Sequence, residues 1–257
     1  MQRAIFHSIN ESDTMKDLDF HNMQHRTAEQ GFTLIEVLIT LVISMFIMAA
    51  VYSAYIAQQH QYTNQTQVIK MQQNIRAVVS FMKDELRMVG YDPTGSANAG
   101  FVSAAINRVQ FTKDITNSTG TADDGDSALD GPFENIVLGF RDADDANNDG
   151  IADSGAASIF VRTDPGATFS EIADDIHAIE FSYILNNSPP TTTTSPAVPY
   201  QIDSVTISIL ARASKPDHNF TNNLVYTTGA GNSWGPFGDN YRRRLIVANV
   251  KCRNLGL

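Results

Sequence analysis

The sequence predicts an α+β protein, a single long amino-terminal helix followed by a head built on an antiparallel β-sheet. Three observations predict it. No proline or glycine occurs from Phe32 to Val89, a stretch of 58 residues, so nothing in it interrupts a helix. Beyond Tyr91 the chain breaks into short β-prone runs separated by turn residues. In two of those runs apolar residues alternate: Ile179, Phe181, Tyr183 and Leu185 in one, Val205, Ile207, Ile209 and Ala211 in the other. That is the period of a strand with one buried face.

The helix divides by composition. Val37–Ala57 reads VLITLVISMFIMAAVYSAYIA, 21 residues without a charge, about 31 Å of helix and enough to cross a bilayer core. The run is too long for a secretory signal and has no small-residue cleavage site behind it. Farther on, Val68, Met71, Ile75, Val78, Met82, Leu86 and Val89 follow one another at gaps of three and four, which places them on one helical face. That stripe should lie on the sheet. Gly90 and Asp92-Pro93 should end the helix.

Just ahead of the apolar run stands Gly31-Phe32-Thr33-Leu34-Ile35-Glu36-Val37, with a carboxylate in an otherwise apolar helix. An ionisable group there costs about 2.5–3.5 kcal/mol on insertion scales, so it calls for a partner. GFTLIEV resembles the prepilin signature of type IV pilins and type II secretion pseudopilins. The resemblance implies the type IV pilin fold, cleavage between Gly31 and Phe32 by a prepilin peptidase, and N-methylation of Phe32 by the same enzyme. It also implies that Glu36 faces the amino terminus of a neighbouring pilin and sets each subunit at a fixed axial step. Residues 1–31 are then a leader, 32–57 the transmembrane and assembly helix, 58–90 its amphipathic extension and 91–257 the β-rich head.

The leader departs from the short basic form of that family, holding Glu11, Asp13, Asp17, Asp19 and Glu29 against Arg3, Lys16 and Arg26. Initiation at Met23 would shorten it to MQHRTAEQG. The tail from Tyr241 to Leu257, with Phe81–Gly90 followed by Tyr91, is similar to the PilW-like minor pilins. The function implied is that of a minor pilin that primes or caps a type IV pilus, anchored by one span in the inner membrane with its head in the periplasm and later carried to the cell surface. Its partners would be the peptidase/methylase, other pilins and the membrane. A minor pseudopilin of type II secretion is the alternative, and a pilus-displayed adhesin is the alternative of another class.

Charge and composition exclude other classes. A formal net charge of −10 and a pI near 4.9 oppose a nucleic-acid surface, which shows a basic stripe. Cys252 is the only cysteine, so the chain can form no internal disulfide. The six histidines have no metal-site spacing, and no nucleophile–base constellation argues for an enzyme.

The acidity is local. Residues 114–175 hold fifteen acids against Arg141 and Arg162. At the centre, Asp145 to Asp153 contain D-x-N-x-D-G-x-x-D, oxygen ligands two residues apart followed by a turn glycine, which suits Ca²⁺. Asp145, Asn147, Asp149 and Asp153 are the expected side-chain ligands, and the carbonyl of Ile151 is the expected backbone ligand, of a structural calcium ion. Ala156 stands where an EF-hand places its bidentate glutamate.

The strands expected in the head are Asn135–Phe140, Ala157–Thr163, Ile176–Leu185, Ile202–Arg212, Leu224–Thr227 and Leu245–Cys252. Ser188–Pro199, rich in proline and threonine, reads as an exposed loop outside the sheet. Gly229–Gly238 reads as a loop too, with Trp234 either packed as a plug or exposed for binding.

Overall fold

A computed structural model describes residues 31–116, 125–163 and 168–255. The leader up to residue 30 lies outside the described residues. The chain forms two compact units, one ending at Ala54 and one starting at Tyr55. Helix α1 (Leu34–Arg87) contributes to both.

In the first unit every described residue is exposed, and this part of α1 is long and apolar enough to cross a membrane. Three of its hydroxyls are satisfied by the helix itself: Thr40 donates to Val37 O (2.9 Å), Ser44 to Thr40 O (2.6 Å) and Ser53 to Ala50 O (2.9 Å). Such internal bonding is what a segment without water requires.

In the second unit the expected stripe of α1 is the buried one. Met71, Ile75, Val78, Val79, Met82 and Leu86 are buried, and they join one core with Ile179, Phe181, Tyr183, Val205, Ile207, Ile209 and Ala211. The alternating faces of the two longest strands therefore do meet the helix. After Arg87 the chain turns at Gly90, whose φ of +73° suits glycine. A Cβ at Gly90 would also lie 2.6 Å from the Leu255 side chain.

The sheet is antiparallel throughout, in the order β1 (Phe101–Ala104), β2 (Arg108–Thr112), β3 (Asn135–Gly139), β4 (Ala157–Arg162), β5 (Ser170–Leu185), β7 (Ile202–Arg212), β10 (Arg243–Lys251). A short strand β6 (Thr191–Thr193) pairs with the end of β5, and β8 (Tyr226–Thr227) pairs with β9 (Ser233–Trp234) in a separate hairpin.

Three expectations need correction. The Ser188–Pro199 segment does join the sheet, because Thr191–Thr193 lies between its prolines and supplies three β-favouring residues to an edge. Of Leu224–Thr227 only Tyr226–Thr227 is strand, while Leu224 and Val225 are exposed. The Gly229–Gly238 loop contains β9, and Trp234, at 6% exposure, is a plug. Strands β1 and β2 were not anticipated, although Val109 and Phe111 alternate inward in β2.

One edge of β5 is passed along a relay of partners. Residues 170–176 pair with β4, Ala178 bridges Ile151, Phe181 N donates to Ile106 O (2.7 Å), and Tyr183–Leu185 pair with β6. The acidic loop that carries Ile151 is thereby bonded to the middle of the sheet.

Candidate functional site

At the amino-terminal end, Gly31 and Phe32 lie outside α1 and both are exposed, Phe32 at 89%. Thr33 is the residue before the helix, and its bonds with Glu36 are reciprocal. Thr33 N and Thr33 Oγ1 each donate to Glu36 Oε2 at 2.9 Å, and Glu36 N donates to Thr33 Oγ1 at 3.3 Å. This is a capping box, T-x-x-E, which satisfies orphan N–H groups of the first turn and places negative charge at the positive end of the helix dipole. The T-x-x-E pattern carries this signal in the sequence, beside the assembly role that the resemblance implies for Glu36. Its described partner is within its own chain.

The acidic loop is organised around Asp145. This carboxylate is wholly buried and accepts from Asn107 Nδ2 (2.8 Å), Gly150 N (2.9 Å) and Asp149 N (3.1 Å). Asn107 Nδ2 donates also to Asn148 Oδ1 at 3.0 Å. The exposed side chains make short-range turns: Asp149 Oδ1 accepts from Ile151 N (2.7 Å), Asn147 Oδ1 from Asp149 N (3.1 Å), and Asp153 Oδ2 from Ala146 N (2.9 Å). Asn147 Nδ2 donates to Asp149 Oδ2 at 3.0 Å. Gly150 has φ +82°, and a Cβ there would lie 2.3 Å from Ile179 O, so the D-G step permits the close approach to β5. The backbone of Ile151 sits in the bridge to Ala178. The expected calcium ligands thus share one loop, but among the described residues no group of three or more His, Cys, Asp or Glu is placed to hold a metal ion.

The side of the sheet away from α1 buries polar groups that sequence reasoning did not single out. Glu180 is buried in β5 and accepts from Asn232 Nδ2 (2.7 Å) and Ala230 N (3.3 Å), and Ser208 Oγ accepts from Gly229 N (2.8 Å). These bonds tie the β8–β9 hairpin to the sheet, with Trp234 packed against Ala178 and Leu210.

Beside them lies His177, also buried, its Nδ1 against Gly155 O and its ring edge-on to Phe237 at 4.4 Å. Burial pushes its pKa down to about 4, opposed first by the Gly155 carbonyl and helped by the nearby Arg243 and Arg212, with Asp239 opposing last. Arg243 makes a bidentate pair with Asp239, both contacts 2.6 Å, and stacks on Phe237 at 4.1 Å. These bonds hold the Asp239 carboxyl below the usual range. Elsewhere in the head, Glu134 is drawn up by burial but down further by bonds from Thr116, Gly131 and Ile115, with a lowered net result.

Comparison with known proteins bears on the amino-terminal site. Residues 26–52 match the family described as the prokaryotic N-terminal methylation motif. Among solved structures, a type IV-like pilin from Thermus thermophilus is similar at 15% identity and a TM-score of 0.44, over 71% of this chain and 95% of that one. No curated protein matches the chain. Residues 26–52 of this chain are a prepilin-type methylation motif, set at the start of a long apolar helix that leads into an antiparallel β-sheet.

Proposed function

We propose that this protein is a minor pilin of a type IV pilus, cut after Gly31, N-methylated on Phe32, anchored through residues 32–57 in the inner membrane with its head in the periplasm, and assembled with other pilins to prime or cap the filament. The observation that carries this reading is the methylation motif at the head of an apolar helix segment that has no partner within its own unit. Apolar surface of that extent needs lipid or neighbouring helices. Glu36 then has two uses, capping its own helix before assembly and pairing with a neighbour's amine after it. The exchange is feasible because both partners are N–H donors to one carboxylate. Burial of Trp234 removes the exposed aromatic that favoured an adhesin.

Two measurements test the reading. Mass spectrometry of the mature protein from its own cells should show an amino terminus at Phe32 that carries one methyl group. The substitution Glu36→Ala should leave cleavage in place and abolish recovery of the protein in sheared filaments. An intact Gly31–Phe32 bond in functional protein would refute the proposal.

Calcium in the acidic loop is a separate proposal, supported by the spacing of Asp145, Asn147, Asp149, Ile151 and Asp153. The side-chain oxygens of Asp145, Asn147, Asp149 and Asp153 are engaged by loop N–H groups, so an ion must compete with those bonds. Affinity should lie near the weak end of the range, about 10⁻⁴–10⁻³ M. A melting temperature of the full chain in detergent that rises only at millimolar Ca²⁺ is expected, and an unchanged one sinks the idea.

A further inference from the structure

The two edges of the main sheet are built differently. At one edge β1 is four residues long and its pairing with β2 is interrupted by a bulge between Phe101 and Ser103. These are the usual protections of an edge. At the other edge β10 is nine residues long, contains no proline, and keeps an unbroken register with β7 from Arg243 opposite Arg212 to Lys251 opposite Ser204.

The direction of its backbone groups follows from the flanking bonds. Ala213 N donates to Arg242 O (2.8 Å) and Cys252 N donates to Asp203 O (3.0 Å), so the even-numbered residues of β10 direct N–H and C=O toward β7. Arg243, Leu245, Val247, Asn249 and Lys251 direct theirs outward. Among the described residues β10 pairs only with β7, and none of these outward groups has a backbone partner. At the middle of the edge Val247 is 46% exposed.

Charge selects what can pair there. From Tyr241 to Leu257 the chain holds Arg242, Arg243, Arg244, Lys251 and Arg253 and no acid, within a protein of net charge −10. Arg242, Arg243 and Lys251 are paired with Asp217, Asp239 and Asp203, whereas Arg244 and Arg253 are exposed. An acidic strand laid along this edge would meet the exposed Arg244 at one end and the exposed Arg253 just past the other.

We propose that β10 is a docking edge for an extended segment of a partner protein, apolar at alternate positions and acidic at its ends, which adds a further antiparallel strand beside Arg243–Lys251. Recognition would use main-chain bonds to the five outward residues for affinity, and Arg244 at one end with Arg253 at the other for selection. The docking needs no filament, so it stands or falls apart from the pilin reading.

The test uses the full chain in detergent and two labelled peptides of alternating valine and threonine, one ended by aspartate and glutamate, the other by lysine. The acidic peptide should bind at least about tenfold more tightly than the basic one. Val247→Pro deletes an outward N–H and leaves the β7 ladder intact. It should weaken the acidic peptide by about tenfold at an unchanged melting temperature. Arg244→Glu, at an exposed side chain, should reverse the peptide preference, and it decides the matter alone should the proline variant fail to fold. Equal binding of both peptides, no binding, or indifference to these substitutions would overturn the proposal. So would a homodimer in sedimentation that Val247→Pro dissociates, which would name a second copy as the occupant.

Discussion

Leu41 and Leu86 lie on the same helix, yet Leu41 is 49% exposed and Leu86 is not exposed at all. Around Leu41 every side chain of the first unit is exposed, and the polar groups are closed onto the helix backbone. Around Leu86 only one stripe is apolar and buried, and the opposite face carries Arg87, Lys83 and Asp84. An uninterrupted backbone can therefore serve two environments, because the distribution of side chains around the helix, not its propensity, decides what each part must be covered by.

The largest effect that would sharpen this contrast is a paired truncation. Leu86→Ala should destabilise the head by about 3 kcal/mol, since it opens a cavity in a packed core. Leu41→Ala should leave head unfolding unchanged when both are followed by denaturant melts of the full chain in detergent. Equal losses would show that the two parts of α1 do not differ in this way.

Acid comes next. The His177 pKa is about 4 in the fold against 6.5 unfolded, so the unfolded chain takes up a proton that the folded chain refuses. Stability from this residue is complete above about pH 6.5 and falls as pH drops toward 4, by about 2–3 kcal/mol. The carboxyls of Asp217, Asp239 and Glu134, all lowered, lose their contribution only as pH falls below the ordinary carboxylate range. The difference between wild type and His177→Gln isolates the histidine; parallel pH profiles for the two would refute its role.

Asp145→Ala should cost about 2 kcal/mol, because Asn107 and two loop N–H groups would lose their acceptor in a buried site. Hydrogen exchange should speed up in residues 145–152, where this carboxylate accepts from Asp149 and Gly150 and the backbone of Gly150 and Ala152 bonds to β5. If the melt is unmoved, the acidic loop is a solvated appendage rather than part of the sheet. Smallest is Thr33→Ala, which removes the cap's hydroxyl. Amides near Glu36 should exchange about fivefold faster in micelles, and Thr33→Ser should restore the slower rate.

Legibility varied with the range of the cause. The buried stripe from Val68 to Val89 and the alternation from Ile179 to Leu185 were readable, since each is a local periodicity. The positions of β1 and β2 were missed because runs of four and five residues carry too little pattern. The roles of Glu180, His177 and Asn107 left no local mark. Each is a polar residue whose partner is 22 to 52 residues away, and only the fold brings the partner near.

By itself the sequence determined the long helix, its division at the end of the apolar run, the prepilin-type motif and an antiparallel head, because these depend on neighbours within a turn or a pleat. Tertiary structure alone decided that Asp145 ties the acidic loop to Asn107, that Trp234 packs on the far face of the sheet and that, among the described residues, β10 pairs on one side only. Those outcomes depend on which segments compete for the same backbone groups and the same apolar surface, and that competition is settled only when the whole chain has packed.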